Sequence, residues 1–380
     1  VSLEHIESFV KELRLKGGFI ARWLEDAVRR VPRHHFIERY YDDKGDFVEF
    51  RPADDEQLKL IYSDSCLMIR KPPNHSAASE PCLVMWMLAD LDVQPGQKVL
   101  EIGTGSGWNA GLLAFRVGDG SLVCSMDAQP DLVEEAAVHL RNAGIEGVNL
   151  RAGDGGYGWP EAAPFDRIMA TVGCPDIPPA WQEQLAEGGV LLVPLKTAGI
   201  GDPVIRLRKQ SGRMVGRFSR WSWFNTLQGD YWSDSDDVLQ GRLEPSLEAL
   251  LLEEPQVVVL PEPFTIDFLF FLRLKGLRFQ GFQSNHPRAL QLHGGFLHRE
   301  SMSVFSPQRD SPVLRLYGDS DLGKLVSENQ QEWRNLGRPM ITDYSIELVD
   351  TDAVCNDPRS WLDNRQHACL KFTLGRSANQ

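Results

Sequence analysis

The segment Glu101-Ile102-Gly103-Thr104-Gly105-Ser106-Gly107 restricts the fold of this chain more than any other feature. Glycines at alternate positions, after the apolar run 98–102 and before a helix-forming stretch, describe a strand, a tight turn and a helix whose free N–H groups face the turn. Residues beyond the loop keep that rhythm. Strands are expected at 98–102, 121–127, 148–152, 165–172 and 189–195, with helices at 130–143 and 180–186 between them. Alternation of this kind implies an α/β fold with a mostly parallel sheet covered on both faces. Two runs around Gly212, 204–209 and 214–219, predict a hairpin closing that sheet.

The spacing of the turn bears on its ligand. A dinucleotide fingerprint, G-x-G-x-x-G, needs glycine at position 108, where this chain has Trp108. The third glycine is Gly107, and Glu101 stands two residues before the first. An acidic group there suits a ligand carrying an ammonium and a sulfonium, S-adenosylmethionine, better than a pyrophosphate. The next strand ends at Asp127, placed to accept ribose hydroxyls, and the third ends at Gly153-Asp154-Gly155, where the carboxylate can take an adenine amino group. Either aspartate alone is also an ordinary cap or turn residue. The ordered set is the signal.

Outside this core the chain is less regular. Leu3, Ile6, Phe9, Val10 and Leu13 share a helical face, and a second helix is expected at 19–30. Residues 40–73 are charged and weakly periodic and read as an irregular excursion. An apolar helix is expected next, at 83–91. Beyond Thr226 the alternation stops, with an apolar segment at 257–260, the run 268–272 and a helix at 322–336. The expected organisation is a helical and irregular N-terminal segment (1–75), a cofactor domain (76–225) and a C-terminal α+β extension (226–380) of about one domain's size.

Forty basic against 53 acidic residues give a net charge of −13, which opposes broad phosphate-backbone binding, so nucleic acid is not an expected partner. No apolar run reaches the ~20 residues of a membrane span, and no signal-peptide pattern opens the chain, so no membrane partner and a cytoplasmic setting are expected. Six scattered cysteines without a C-x-x-C pair, and histidines without ligand spacing, predict free thiols and no metal site.

Over residues 15–225 the chain resembles the protein-L-isoaspartate O-methyltransferase family. Val31-Pro32-Arg33-His34-His35-Phe36-Ile37, Ser79-Glu80-Pro81, the glycine loop, Gly153-Asp154-Gly155, Phe165-Asp166-Arg167-Ile168, Ile177-Pro178 and the run 185–194 carry the likeness. The loop alone says only methyltransferase; the V-P-R-x-x-F and S-x-P elements point to this family. The resemblance implies a doubly wound, Rossmann-like class I methyltransferase sheet with altered strand order at the hairpin edge. It implies S-adenosylmethionine as methyl donor, S-adenosylhomocysteine as product, and a serine beside the donor and the substrate carboxyl. That serine is Ser79; it is also a candidate helix cap. Ser76, Glu101, Gly103, Thr104, Gly105, Gly107, Asp127, Asp154 and Gly155 are the expected cofactor residues.

Two departures bear on the substrate. Ala77 replaces the threonine of the family's T-I-S-x-P segment, and Ile69-Arg70-Lys71-Pro72-Pro73-Asn74-His75-Ser76 replaces its glycine-rich approach. The chain also continues well past the hairpin. Long homologues resemble methyltransferases of ribosomally made peptides (lasso peptides, graspetides, lanthipeptides), which esterify an aspartate and lead to aspartimide or isoaspartate. The expectation is therefore a peptide aspartyl O-methyltransferase, with repair-type methylation of L-isoaspartyl residues in damaged proteins as the alternative. A non-catalytic peptide-binding module and a nicotinamide oxidoreductase are the readings from other classes, the latter opposed by Trp108. The aromatics Trp221, Trp223, Phe224, Tyr231 and Trp232 read as core or as a peptide groove, and the acidic run 230–237 as a solvated loop. Oligomeric state stays open.

Overall fold

The computed structural model describes residues 3–71, 74–197, 200–229, 231, 249–250, 253–280, 295–298, 301–305, 313–318 and 321–375. Trp232, the acidic run apart from Tyr231, and Pro72-Pro73 lie outside these residues. The chain forms two compact units, one of Val1–Pro194, Val204–Met214 and Ser222–Trp232, the other of Leu195–Pro203, Val215–Trp221 and Ser233–Gln380.

The first unit opens with α1 (Leu3–Leu15), which buries Ile6, Phe9, Val10 and Leu13 as their helical spacing requires, and α2 (Arg22–Arg30). Residues 40–73 are not irregular. They form β1 (Arg39–Tyr41), β2 (Phe47–Glu49), α3 (Asp55–Ile61) and β3 (Leu67–Arg70), and with β4 (Ser76–Ala78) the strands make a sheet in the order β2-β1-β3-β4. Three-residue strands are too short for a period-2 pattern to show. Asp54 caps α3 through Glu56 and Gln57 N–H, a local signal that the charge-rich context masked. Then comes α4 (Pro81–Leu91), with proline at its first position.

The alternating region matches the sequence closely: β5 (Val99–Ile102), α5 (Trp108–Val117), β6 (Val123–Asp127), α6 (Pro130–Asn142), β7 (Asn149–Ala152), β8 (Phe165–Ala170), α7 (Pro179–Gln184), β9 (Leu185–Pro194) and β10 (Asp202–Gln210). Strands β7-β6-β5-β8-β9 are parallel, and β10 runs antiparallel beside β9, in chain order. Turn residues Ser211-Gly212, both at positive φ, lead into β11 (Arg213–Ser222), as the spacing around Gly212 predicts. The chain crosses from one side of β5 to the other between β7 and β8. This switch point opens a crevice at the carboxyl end of β5, where the glycine loop lies. Arg167 and Asp166 of the F-D-R-I element are ties within this frame: Arg167 donates to the Leu91 and Asp92 carbonyls, and Asp166 accepts from Lys98 N–H.

The second unit has its own core. The run 268–272 lies in the helix Ile266–Leu274, capped by Thr265, with Phe268, Phe271 and Leu272 buried against Trp333 of the helix Asp321–Asn335. An antiparallel sheet has the order β12 (Gln256–Val259), β16 (Val313–Tyr317), β15 (Ser301–Phe305), β14 (Gly295–His298), β13 (Arg278–Gln280). Strand β19 (Cys369–Leu374) pairs antiparallel with β17 (Tyr344–Val349) on one side and β18 (Ser360–Asn364) on the other. The aromatics near residue 225 do not act together. Trp221 packs on Phe270 in this unit, while Phe224 is buried in the first unit's core, Tyr231 meets Tyr157 edge-on, and Trp223 is 68% exposed.

All six cysteines are free, two of them away from buried positions. Among the described residues no helix is long and apolar enough to cross a membrane, and no group of three or more metal-ligating side chains gathers.

Candidate active site

The loop after β5 is fixed from beneath. Gly103 and Thr104 N–H donate to the Met126 carbonyl (2.8 and 3.1 Å), and Thr171 Oγ1, just past β8, donates to the Gly103 carbonyl (2.7 Å). Gly103 has φ +102°, and a Cβ there would stand 2.7 Å from Thr171 Oγ1. Gly107 meets Ala136 of α6 in the same way, at 3.0 Å. Gly105 differs. It has φ +50°, and the atoms nearest a Cβ there are Ser76 Oγ at 3.9 Å and the Ala77 carbonyl at 4.0 Å. Gly103 and Gly107 thus serve close packing, whereas Gly105 leaves bare backbone toward the side where β4 passes.

The Glu101 side chain is fully buried. Ser125 Oγ donates to one carboxylate oxygen (2.6 Å) and Asn109 Nδ2 to the other (2.7 Å), while Thr104 Oγ1 lies 2.7 Å from Ser125 Oγ. Glu101 therefore anchors β5, β6, α5 and the loop to one another. Burial pushes its pKa up to about 7 despite those hydrogen bonds, with the nearby Asp127 charge adding to the rise. Between the ordinary carboxyl value of 4.5 and about 7, the folded chain keeps a proton that the unfolded chain has lost. This contribution to stability is complete below that interval and disappears as pH rises through about 7. Glu101→Gln removes the titrating group, and Asn109 can rotate to offer its amide oxygen. A plot of melting temperature against pH is expected to fall less steeply between about 5 and 8 in E101Q than in the wild type. Parallel curves would refute this.

Asp127 stands at the end of β6 with one oxygen accepting Gly105 N–H (2.9 Å) and the other Gln129 N–H (3.1 Å); burial raises its pKa. Asp154 accepts from Gly156 N–H (2.8 Å) and from Tyr231 N–H (2.6 Å), so it fixes both its own turn and the returning strand of chain. Gly155 packs against Ile102: a Cβ there would lie 2.4 Å from Ile102 Cγ2. These contacts are the turn-and-cap roles open to both aspartates in the sequence. A carboxylate offers about four acceptor positions, so backbone contacts leave room for ligand donors.

Ser79 is not the helix cap. The cap position of α4 is Glu80, and no side chain there bonds the helix. Ser79 is instead held by its carbonyl, which accepts from Arg33 Nη2 (3.0 Å). Arg33 is the residue whose role the sequence hid. It is 1% exposed and donates to the carbonyls of Ile61, Ser63, Ser65, Ala78 and Ser79. Its guanidinium lies over the Trp108 ring, 5.5 Å from the centroid, and burial lowers its pKa to about 10. An arginine between apolar Val31 and Phe36 was the available signal, since a charge on a buried segment needs a full set of partners.

A parallel sheet with its switch point at β5, a glycine loop with open backbone and carboxylates ending β6 and β7 define a class I, S-adenosylmethionine-dependent methyltransferase. The sequence comparisons give the family: residues 4–229 match the model described as protein-L-isoaspartate(D-aspartate) O-methyltransferase, and the chain belongs to that family. A Pyrococcus horikoshii protein-L-isoaspartate O-methyltransferase is 35% identical over 202 residues, covering 53% of this chain and 82% of that relative. Its Pyrococcus abyssi counterpart is 32% identical over 223 residues, covering 58% and 94%. A solved protein-L-isoaspartate O-methyltransferase has the same fold, with a TM-score of 0.54 at 23% identity, and covers 90% of this chain and 96% of its own.

Proposed function

We propose that this enzyme methylates the free α-carboxyl of L-isoaspartyl residues in damaged proteins and peptides, the repair-type reaction. Family membership supports this reading, and the observation that carries it is Ser79: its hydroxyl is unspent on helix capping while its backbone is pinned by Arg33 at the entry to α4. In this reading Gly103, Thr104, Gly105, Gly107 and Ser76 hold the amino-acid part of the donor, Asp127 its ribose, and Asp154 with Gly155 its adenine.

S-adenosylmethionine supplies an electrophilic methyl group, which a carboxylate oxygen takes in a one-step displacement. An isoaspartyl α-carboxyl has a pKa of about 3.5 and is ionised at neutral pH, so the chain need not provide a general base. Its task is orientation and exclusion of water. Ser79 Oγ–H donates to one carboxylate oxygen and leaves the other aimed at the methyl group.

The test is methyl transfer to a matched pair of peptides, isoaspartyl and aspartyl, with wild type and Ser79→Ala. Transfer to the isoaspartyl peptide alone is expected. Ser79→Ala is expected to lower kcat by about ten- to a hundredfold, as loss of a positioning hydrogen bond does, with donor affinity unchanged. No transfer to isoaspartyl peptides would discard the repair reading. The replaced segment 69–76 favours one second reading, an aspartyl ester formed in a ribosomally made peptide, and preferential transfer to a normal aspartyl peptide would select it.

A further inference from the structure

On the side where a Gly105 Cβ would point, the nearest atoms belong to strand β4, Ser76 Oγ and the Ala77 carbonyl, so β4 lies over the open side of the loop. Its partner strand β3 ends in Arg70, which sits directly opposite Ser76. Arg70 Nη2 donates to Glu135 Oε1 (2.7 Å) and lies 2.8 Å from Asp131 Oδ2, both on α6, the helix that starts three residues after Asp127. Arg39 of β1 donates to the same Glu135 oxygen, and β1 pairs with β3. Two cations on the small sheet therefore meet two anions on α6, across the crevice that Gly105 and Asp127 bound. Arg70 is 21% and Glu135 28% exposed, so neither is deeply buried nor fully hydrated. Arg70 falls in the segment that replaces the family's glycine-rich approach.

We propose that Arg70 and Arg39, gripping Glu135 and Asp131, form a latch that holds β4 over the methyl-donor site and sets how fast the donor and its demethylated product leave. Arg70 is a positioning residue here, since it touches neither reacting group. The latch rests on the proposed function, in which the donor occupies the glycine loop. Motions that open a cover over a site often govern release, and ion pairs of this exposure are weakened by salt.

The test is stopped-flow release of S-adenosylhomocysteine from the full chain, for wild type, Arg70→Gln, Glu135→Gln and the double variant. Each single variant is expected to release the product about five- to tenfold faster, the size expected for a partly exposed ion-pair network. The double variant should release the product faster than either single but by less than the product of their effects, because R70Q keeps the Arg39–Glu135 bridge and E135Q the Arg70–Asp131 bridge of one shared device. The methyl-donor KM should rise without a fall in kcat, and added salt should speed release in the wild type but hardly in the double variant. Arg70→Lys keeps the charge, should recover part of the slow release, and guards against reading a folding defect as a lost latch. Unchanged release in both single variants, or fully additive effects, would overturn the latch. A wild type that binds no product would instead remove the donor-site reading, and the latch with it.

Discussion

Arg33→Met is expected to destabilise the first unit by about 3–5 kcal/mol and to abolish methyl transfer in whatever folded protein is left. The side chain of methionine fills much of the space, so the loss comes from hydrogen bonding rather than from a cavity. Five carbonyl oxygens now receive donors from one buried guanidinium, those of Ile61 and Ala78 in fully buried contacts and those of Ser63, Ser65 and Ser79 in part-buried ones. Leaving buried acceptors unsatisfied costs about 1–3 kcal/mol each, less whatever relaxation or entering water recovers. Two of those acceptors are Ala78 and Ser79, so the backbone at the proposed catalytic serine loses its tether together with α3 and the turn after it. Arg33→Lys tests the geometry separately from the charge. A single ammonium has three donors at one point and cannot span five carbonyls, so R33K should recover only part of the stability. Urea titration of the three proteins is the measurement. A midpoint for R33M within the error of the wild type would show that these carbonyls find other partners and that Arg33 is not the tie we describe.

Gly103→Ala should reduce donor affinity by about a hundredfold. The added methyl group has two problems, and they are separable. Its backbone φ of +102° is outside the left-handed region that non-glycine residues occasionally adopt, and its Cβ would be 2.7 Å from Thr171 Oγ1 and 3.0 Å from Val172 Cγ1. The loop must move, and it carries Gly105 and the N-terminal turn of α5 with it. Strain and overpacking of this kind typically cost about 1–3 kcal/mol each, and the two together, about 2–6 kcal/mol, bracket the ~2.7 kcal/mol that a hundredfold loss represents. Thr171→Ala in the G103A background removes the closer clash but not the strained φ, and should restore only part of the binding. Calorimetric titration with S-adenosylhomocysteine distinguishes the cases. Full recovery in the double variant would mean that backbone strain is unimportant at this position. Undiminished binding in G103A itself would remove the loop from the donor site.

The parts of the fold that were legible in the sequence are those where one physical rule dominates a long stretch. Strands β5, β6 and β8 are buried on both faces, so each appears as an apolar run, and each run is punctuated by glycine or aspartate at or just past its carboxyl end. The helices α1 and α6 carry their buried residues at helical spacing for thirteen residues each. Residues 40–73 gave no comparable signal because their strands are only three or four residues long and one of them, β2, is largely exposed. The run 268–272 was ambiguous for the opposite reason. Five consecutive apolar residues fit a buried strand as well as a buried helix, and the capping Thr265 is what decides for the helix.

By itself the sequence determined the order of strand, glycine turn and helix, the rejection of a dinucleotide fingerprint through Trp108, and the family. These depend on residue types at fixed spacing, which local sterics and hydrogen bonding convert directly into backbone shape. Only the tertiary structure decided what the polar residues of that motif do. Glu101 turned inward to Ser125 and Asn109, Ser79 gave up the cap position to Glu80, Arg33 became the tie to Ser79, and Arg70 reached α6. A polar side chain is committed by whichever partners the fold brings within about 3 Å, and those partners lie on elements far away in the chain. No spacing rule along the sequence encodes that distance.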